Sequence, residues 1–206
     1  CRTYQKMRKG FLFQALLLLF VIAFCSYVQP KHYFSKTTSD VLINYSIPIG
    51  RIADSLKIKK SKVNILIVKH EYRLYFVADT LKLKSYPVVF GFNPVDDKQK
   101  EGDGCTPEGT FKIKAKYPHK DWSKFIWIDY PNKDSWKKFQ KAKDSGKIPK
   151  NASIGGDVGI HGVPNGADYA IDKKQNWTLG CISLKNHDID EIYDFVANDT
   201  MIEIVK

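Results

Sequence analysis

Trp177-Thr178-Leu179-Gly180-Cys181-Ile182-Ser183, with Ile160-His161-Gly162 upstream, offers a thiol, an imidazole and a glycine pressed against the thiol. Cysteine attacks as the thiolate, a minority species for a free side chain of pKa about 8.5. An imidazole that takes the proton therefore raises its reactivity. Gly180 lets a substrate carbonyl approach the backbone closely, and the N–H groups of Gly180 and Cys181 are candidate donors to a developing oxyanion. Thr178 reads equally as a hydrogen-bond donor behind the thiol or as a β-branched strand residue, and Trp177 as a stacking platform or as core. The bland alternatives are an inert buried cysteine and a structural histidine. The glycine beside Cys181 and the His161-Gly162 pair favour the reactive reading.

The order His161-Gly162, then Thr178-x-Gly180-Cys181, closely resembles the signature of the YkuD-type L,D-transpeptidase domain, a cysteine acyltransferase of bacterial cell walls. Two further blocks carry the resemblance. Thr106-Pro107-Glu108-Gly109-Thr110-Phe111 resembles the family's Thr-Pro-x-Gly-x-Phe segment, and Asp129-Tyr130-Pro131-Asn132 resembles a segment often found between the two.

The resemblance spans roughly residues 63–206 and implies a mainly β (α+β) fold, a β-sandwich with two short helices. It also implies Cys181 as nucleophile, His161 as base, and Gly180, Gly162 and Thr178 as support, the Gly162 carbonyl orienting the imidazole. Ser183, Trp177, Thr106 and Pro107 become candidate contacts to a peptidoglycan stem peptide. No cofactor or metal is implied, and a monomer is expected. Leu179 stands where many members carry His, so His161 has no second imidazole beside it; Ser183 stands where many carry Arg or Asn. The Trp-Thr-x-Gly-Cys form resembles a subset in which some members hydrolyse wall linkages. Transpeptidation to an amine, hydrolysis, and a silent peptidoglycan-binding module all stay open, with intact Cys181 and His161 against the last.

Residues 11–25 are apolar except for Gln14 and follow Arg2, Lys6, Arg8 and Lys9. This reads as an export signal whose basic end stays in the cytoplasm. The run falls between a signal-peptide core and a span of about 20 residues, so an uncleaved anchor, a cleaved signal and a lipoprotein are all open. The expected organisation is a signal or anchor over 1–28, an extracytoplasmic linker over 29–62 carrying one short helix near residues 52–58, and a catalytic domain over 63–206 held at the cytoplasmic membrane.

The net charge of +11 divides unevenly. Residues 1–62 hold 11 Lys/Arg against 2 Asp/Glu, whereas residues 63–206 hold 22 against 20. The basic excess thus suits topology and anionic headgroups, and the domain lacks the basic stripe that nucleic-acid binding requires. Cys105 and Cys181 are too few for a disulfide scaffold, and His161-x19-Cys181-x5-His187 lacks the paired ligands of a structural zinc site. A Cys105–Cys181 disulfide in an oxidising compartment stays open, provided the α-carbons come within about 7 Å.

Periodicity supplies the rest. Residues 63–68 and 74–77 read as a hairpin, and 81–90, 110–116, 125–128 and 201–205 as further strands. Residues 134–145 read as a surface helix ending at Gly146. A second helix, capped by Asn186, buries Ile189, Ile192, Tyr193 and Val196 at i, i+3, i+4 and i+7.

Overall fold

The computed structural model describes residues 41–206. Its β-strands are β1 (Asn64–Val68), β2 (Arg73–Ala78), β3 (Leu81–Pro87), β4 (Gly109–His119), β5 (Ser123–Ile128), β6 (Gly159–His161), β7 (Ile182–Ser183) and β8 (Met201–Val205). Among them run helices α1 (Ile49–Ser55), α2 (Lys133–Asp144), α3 (Tyr169–Asp172) and α4 (Asn186–Phe195). The strands form one sheet in the order β3-β2-β1-β8-β4-β5-β6-β7. Pairing is antiparallel except at β1–β8 and β6–β7. The fold is mainly β, as expected, with α3 as a helix that the periodicity did not announce.

Alternation explains the core. Ile65 and Ile67 of β1 and Ile202 and Ile204 of β8 point to one face and are essentially unexposed, as period-2 strands with one buried face require. β4 serves both halves: Gly109 to Lys112 pair with β8, and Ile113 onward with β5, with a register shift between Ile113 and Ala115. The edge strand β7 is covered by the chain leaving β3, where Val89 and Ser183 exchange backbone hydrogen bonds of 2.9 Å in both directions. Helix α2 begins on Asn132, whose side chain accepts from the N–H groups of Asp134 and Ser135 at 3.1 Å; it buries Phe139 and leaves Trp136 exposed.

Two expectations are corrected. Asn186 does not cap α4. Lys185 holds that position, and the Asn186 carboxamide oxygen instead accepts the N–H of Val163 at 3.0 Å. The stripe of Ile189, Ile192 and Val196 is buried as expected, with Tyr193 half-buried.

Within the stretch expected as a linker, residues 41–62 dock onto the domain. Ile49, Ile52 and Ala53 are buried, and the helix starts at Ile49 rather than near residue 52. Glu191 of α4 gathers the Ile49 N–H (2.7 Å), the Lys84 ammonium (2.8 Å) and the Tyr86 hydroxyl (2.9 Å). Tyr45 donates to Asp188, whose carboxyl burial pushes up to about 6. A few isoleucines and one tyrosine suffice for docking, and the surrounding Ser, Thr and Lys concealed them.

No helix among the described residues is long and apolar enough to cross a membrane; the apolar run over 11–25 lies outside the described residues.

Candidate active site

Strand β6 delivers His161 and β7 begins one residue after Cys181. Their parallel register sets Ile160 against Ile182 and His161 against Ser183. Cys181 thus stands one residue before β7 and two residues before Ser183, the register partner of His161. The twenty-residue separation in sequence is closed by a single strand pairing.

The imidazole is fixed on several sides. His161 is 1% exposed. Its Nδ1 lies 2.7 Å from the Gly162 carbonyl oxygen, and because a carbonyl only accepts, Nδ1 carries the proton and Nε2 keeps its lone pair. Phe125, its partner across β5–β6, stacks at 5.6 Å between centroids; Trp122 stacks at 4.4 Å and Trp177 meets it edge-on at 5.5 Å. Burial depresses the imidazole pKa to about 4, against the pull of the Gly162 carbonyl. The ring is therefore neutral at physiological pH.

Gly162 admits no side chain, since a Cβ there would collide with the Asn186 carboxamide and lie 2.6 Å from the Trp122 carbonyl oxygen. The Gly162 N–H donates to that same oxygen at 3.0 Å. Asn186 is thus diverted from capping to bracing the turn after His161.

Cys181 is half-buried and lines a cleft of about 310 Å³ together with Lys98, Glu101, Asp157, Leu179 and Gly180. Its S–H donates to the Asp157 carbonyl oxygen at 3.6 Å. Burial pushes the thiol up to about 11, outweighing the opposing influence of the Gly159 N–H and the Lys98 ammonium. Thiol and imidazole are therefore both uncharged at rest. Gly180 has φ of +143°, and a Cβ on it would lie 2.7 Å from the Cys105 carbonyl oxygen, so glycine is required.

Thr178 donates to the Cys181 carbonyl at 2.7 Å and accepts the Gly180 N–H at 3.2 Å. This second bond occupies one of the two expected oxyanion donors and leaves the Cys181 N–H. Thr178 is accordingly a support behind the thiol.

Three residues expected as substrate contacts are buried and engaged within the fold. Ser183 is unexposed, and its hydroxyl donates to the Gly162 carbonyl at 3.0 Å, behind the imidazole. Thr106 is unexposed too, and its hydroxyl accepts the Gly91 N–H at 3.2 Å. Pro107 is buried in the same turn. These blocks brace the loops under Gly180. Trp177 packs on His161, and its buried indole N–H has no hydrogen-bond partner among the described residues.

Cys105 and Cys181 are both free thiols; Cys105 is buried and donates to the Asp103 carbonyl at 3.5 Å. Among the described residues no group of three or more His, Cys, Asp or Glu side chains is gathered as a metal site. Sequence reasoning missed the part played by Trp122, Phe125 and Lys98, which lie far from Cys181 in the chain and belong to no motif, and by Asn186, five residues after Cys181, which read as a helix cap.

The family model of the YkuD L,D-transpeptidase catalytic domain matches residues 62–204. The chain belongs to that family. Among solved structures it is similar to a point variant of the helical cell shape determining protein Pgp2 from Campylobacter jejuni, with TM-score 0.50 and 20% identity over 77% of this chain and 54% of that one. It is also similar to Bd1075 from Bdellovibrio bacteriovorus, with TM-score 0.48 and 18% identity over 70% and 48% of the two chains. For L,D-transpeptidase 3 from Mycobacterium tuberculosis the TM-score is 0.46 and the identity 12%, over 70% and 61%. The chain thus spans about half the length of the first two. No curated protein sequence matches it.

Proposed function

We propose that this YkuD domain is a cysteine acyltransferase acting on peptidoglycan stem peptides, with Cys181 as nucleophile and His161 as base. The observation that carries the reading is the lodging of His161: its Nδ1–H is held by the Gly162 carbonyl, which leaves Nε2 as the proton acceptor, and its register partner Ser183 lies two residues after Cys181. Because burial disfavours a resting thiolate–imidazolium pair, the proton moves as attack proceeds and negative charge passes to the substrate oxygen. Cys181 Sγ bonds to the carbonyl carbon of the third stem residue, a diamino acid. The amide bond breaks, and the terminal D-amino acid leaves with the proton that His161 received. A side-chain amine of a second stem then attacks the thioester, giving its proton to His161 and returning the thiol. The Cys181 N–H is the expected oxyanion donor. Water in place of the amine gives hydrolysis.

The membrane side of the proposal rests on sequence: the apolar run behind Arg2, Lys6, Arg8 and Lys9 supports a domain held outside the cytoplasmic membrane. The test is incubation of the full chain with disaccharide-tetrapeptides and mass analysis of the products. Cross-linked dimers with released D-amino acid support transfer, tripeptide alone supports hydrolysis, and unchanged substrate contradicts the proposal.

A further inference from the structure

Of the residues lining the Cys181 cleft, Lys98 carries the one basic side chain. It is 8% exposed, a burial that lysine tolerates when its charge is paired. Asp103 Oδ1 accepts from its ammonium at 2.9 Å and the Lys100 carbonyl at 3.2 Å. Asp103 is itself fixed by the N–H groups of Gln99, Lys100 and Cys105. These bonds use two of the three ammonium protons and hold Nζ in place. Nζ lies 3.9 Å from where a Cβ on Gly180 would be, so it borders the cleft beside the backbone that leads into Cys181. The cleft's two carboxylates, Glu101 and Asp157, belong to exposed residues. The cleft lining thus combines one buried cation with two exposed acids.

We infer that Lys98 is a substrate-binding residue whose third N–H receives the terminal carboxylate of the peptide, which makes a free C-terminal carboxylate the feature that selects the acyl donor. In such a donor the carboxylate lies one residue beyond the attacked carbonyl, and Nζ borders the same cleft at Gly180, the residue before Cys181. Glu101 and Asp157 then face the donor's side-chain amine. The inference rests on the acyl-transfer reading for its substrate but not for its test, which is read by binding alone.

Full-length Cys181→Ala protein is titrated calorimetrically with a stem tetrapeptide and with its C-terminal amide, with Lys98 intact or replaced by Met or Arg. The expected result is binding of the acid about 10- to 100-fold more tightly than the amide, as a charge-assisted hydrogen bond supplies. That preference disappears in Lys98→Met and largely survives in Lys98→Arg. Equal affinity for acid and amide with Lys98 intact overturns the inference, and this comparison needs no Lys98 variant to fold. Equal weakening of both ligands in Lys98→Met also overturns it, because Lys98 would then be a brace for the loop. Failure of the acyl-transfer reading shows separately, as absence of turnover in the parent chain whatever the affinity ratio.

Discussion

The Gly162 carbonyl oxygen lies 2.7 Å from Nδ1 of His161, the residue before it, and this contact sets which imidazole nitrogen is free. The same oxygen accepts the Ser183 hydroxyl at 3.0 Å, so β6 and β7 both contribute to the orientation. Replacing Ser183 by Ala removes one donor while leaving the other. A net hydrogen bond is worth about 1 kcal/mol, so kcat should fall by no more than about tenfold with KM nearly unchanged. Steady-state kinetics checks this, and a rise in KM with kcat intact would make Ser183 a substrate contact after all.

His161→Gln should keep the fold and slow acylation by roughly 10²- to 10⁴-fold, the usual loss for a general base. In the parent the acid limb of kcat/KM should fall near pH 4, well below the ordinary histidine range, because burial holds the imidazole neutral. An acid limb near pH 6.5 would mean that the ring is solvated in the working enzyme.

The same depression has a stability consequence. Below pH about 6.5 the unfolded chain protonates this histidine while the folded chain does not, so stability present above that pH is lost as the pH falls toward 4. The full shift corresponds to about 3 kcal/mol. Asp188 acts in the opposite sense, since its raised pKa makes the folded state bind more protons between the ordinary carboxylate range and about 6. The difference between parent and His161→Gln in urea denaturation isolates the histidine: the gap should shift against the parent from pH 7 to pH 4, and a constant gap would contradict a buried neutral ring.

Gly180→Ala must fit a Cβ at 2.7 Å from the Cys105 carbonyl oxygen while keeping φ of +143°. Strained backbone of this kind costs of order 1–3 kcal/mol. We expect a lowered melting temperature and loss of thiol reactivity together; an active variant of unchanged stability would show that the loop relaxes freely.

Ile52→Ala probes residues outside the family match, which begins at residue 62. Ile52 is 6% exposed in the main core, and such truncations cost about 2–5 kcal/mol. Thermal denaturation of the full chain should show the loss, and an unchanged transition would return this stretch to the role of a tether.

Short runs rich in β-branched and aromatic residues made most of the strands legible, as in β1, β2 and β5, and β8 adds a clear apolar–polar alternation. Cys181 and His161 stood out in sequence as a candidate pair, from a glycine, a spacing and the family resemblance. Their supports did not. Phe125 and Trp122 read only as strand and loop aromatics, and Asn186 resembled an ordinary helix cap until its carboxamide was found holding Val163. Thr106 and Ser183 are polar residues in motif blocks, and sequence cannot tell a buried hydroxyl that braces a carbonyl from an exposed one that meets substrate. Ile49 and Ile52 were hidden by their polar neighbours, since docking depends on which few side chains face the sheet and not on mean composition.

The central claim is that Cys181 is the acyl-accepting nucleophile, and intact-protein mass spectrometry of the full chain after incubation with a carbapenem tests it most directly. The strained acyl group stands in for the donor amide. The account predicts one adduct on the parent and none on a folded Cys181→Ala variant. An adduct that persists on Cys181→Ala, with Cys105 or any other residue carrying it, would contradict the account.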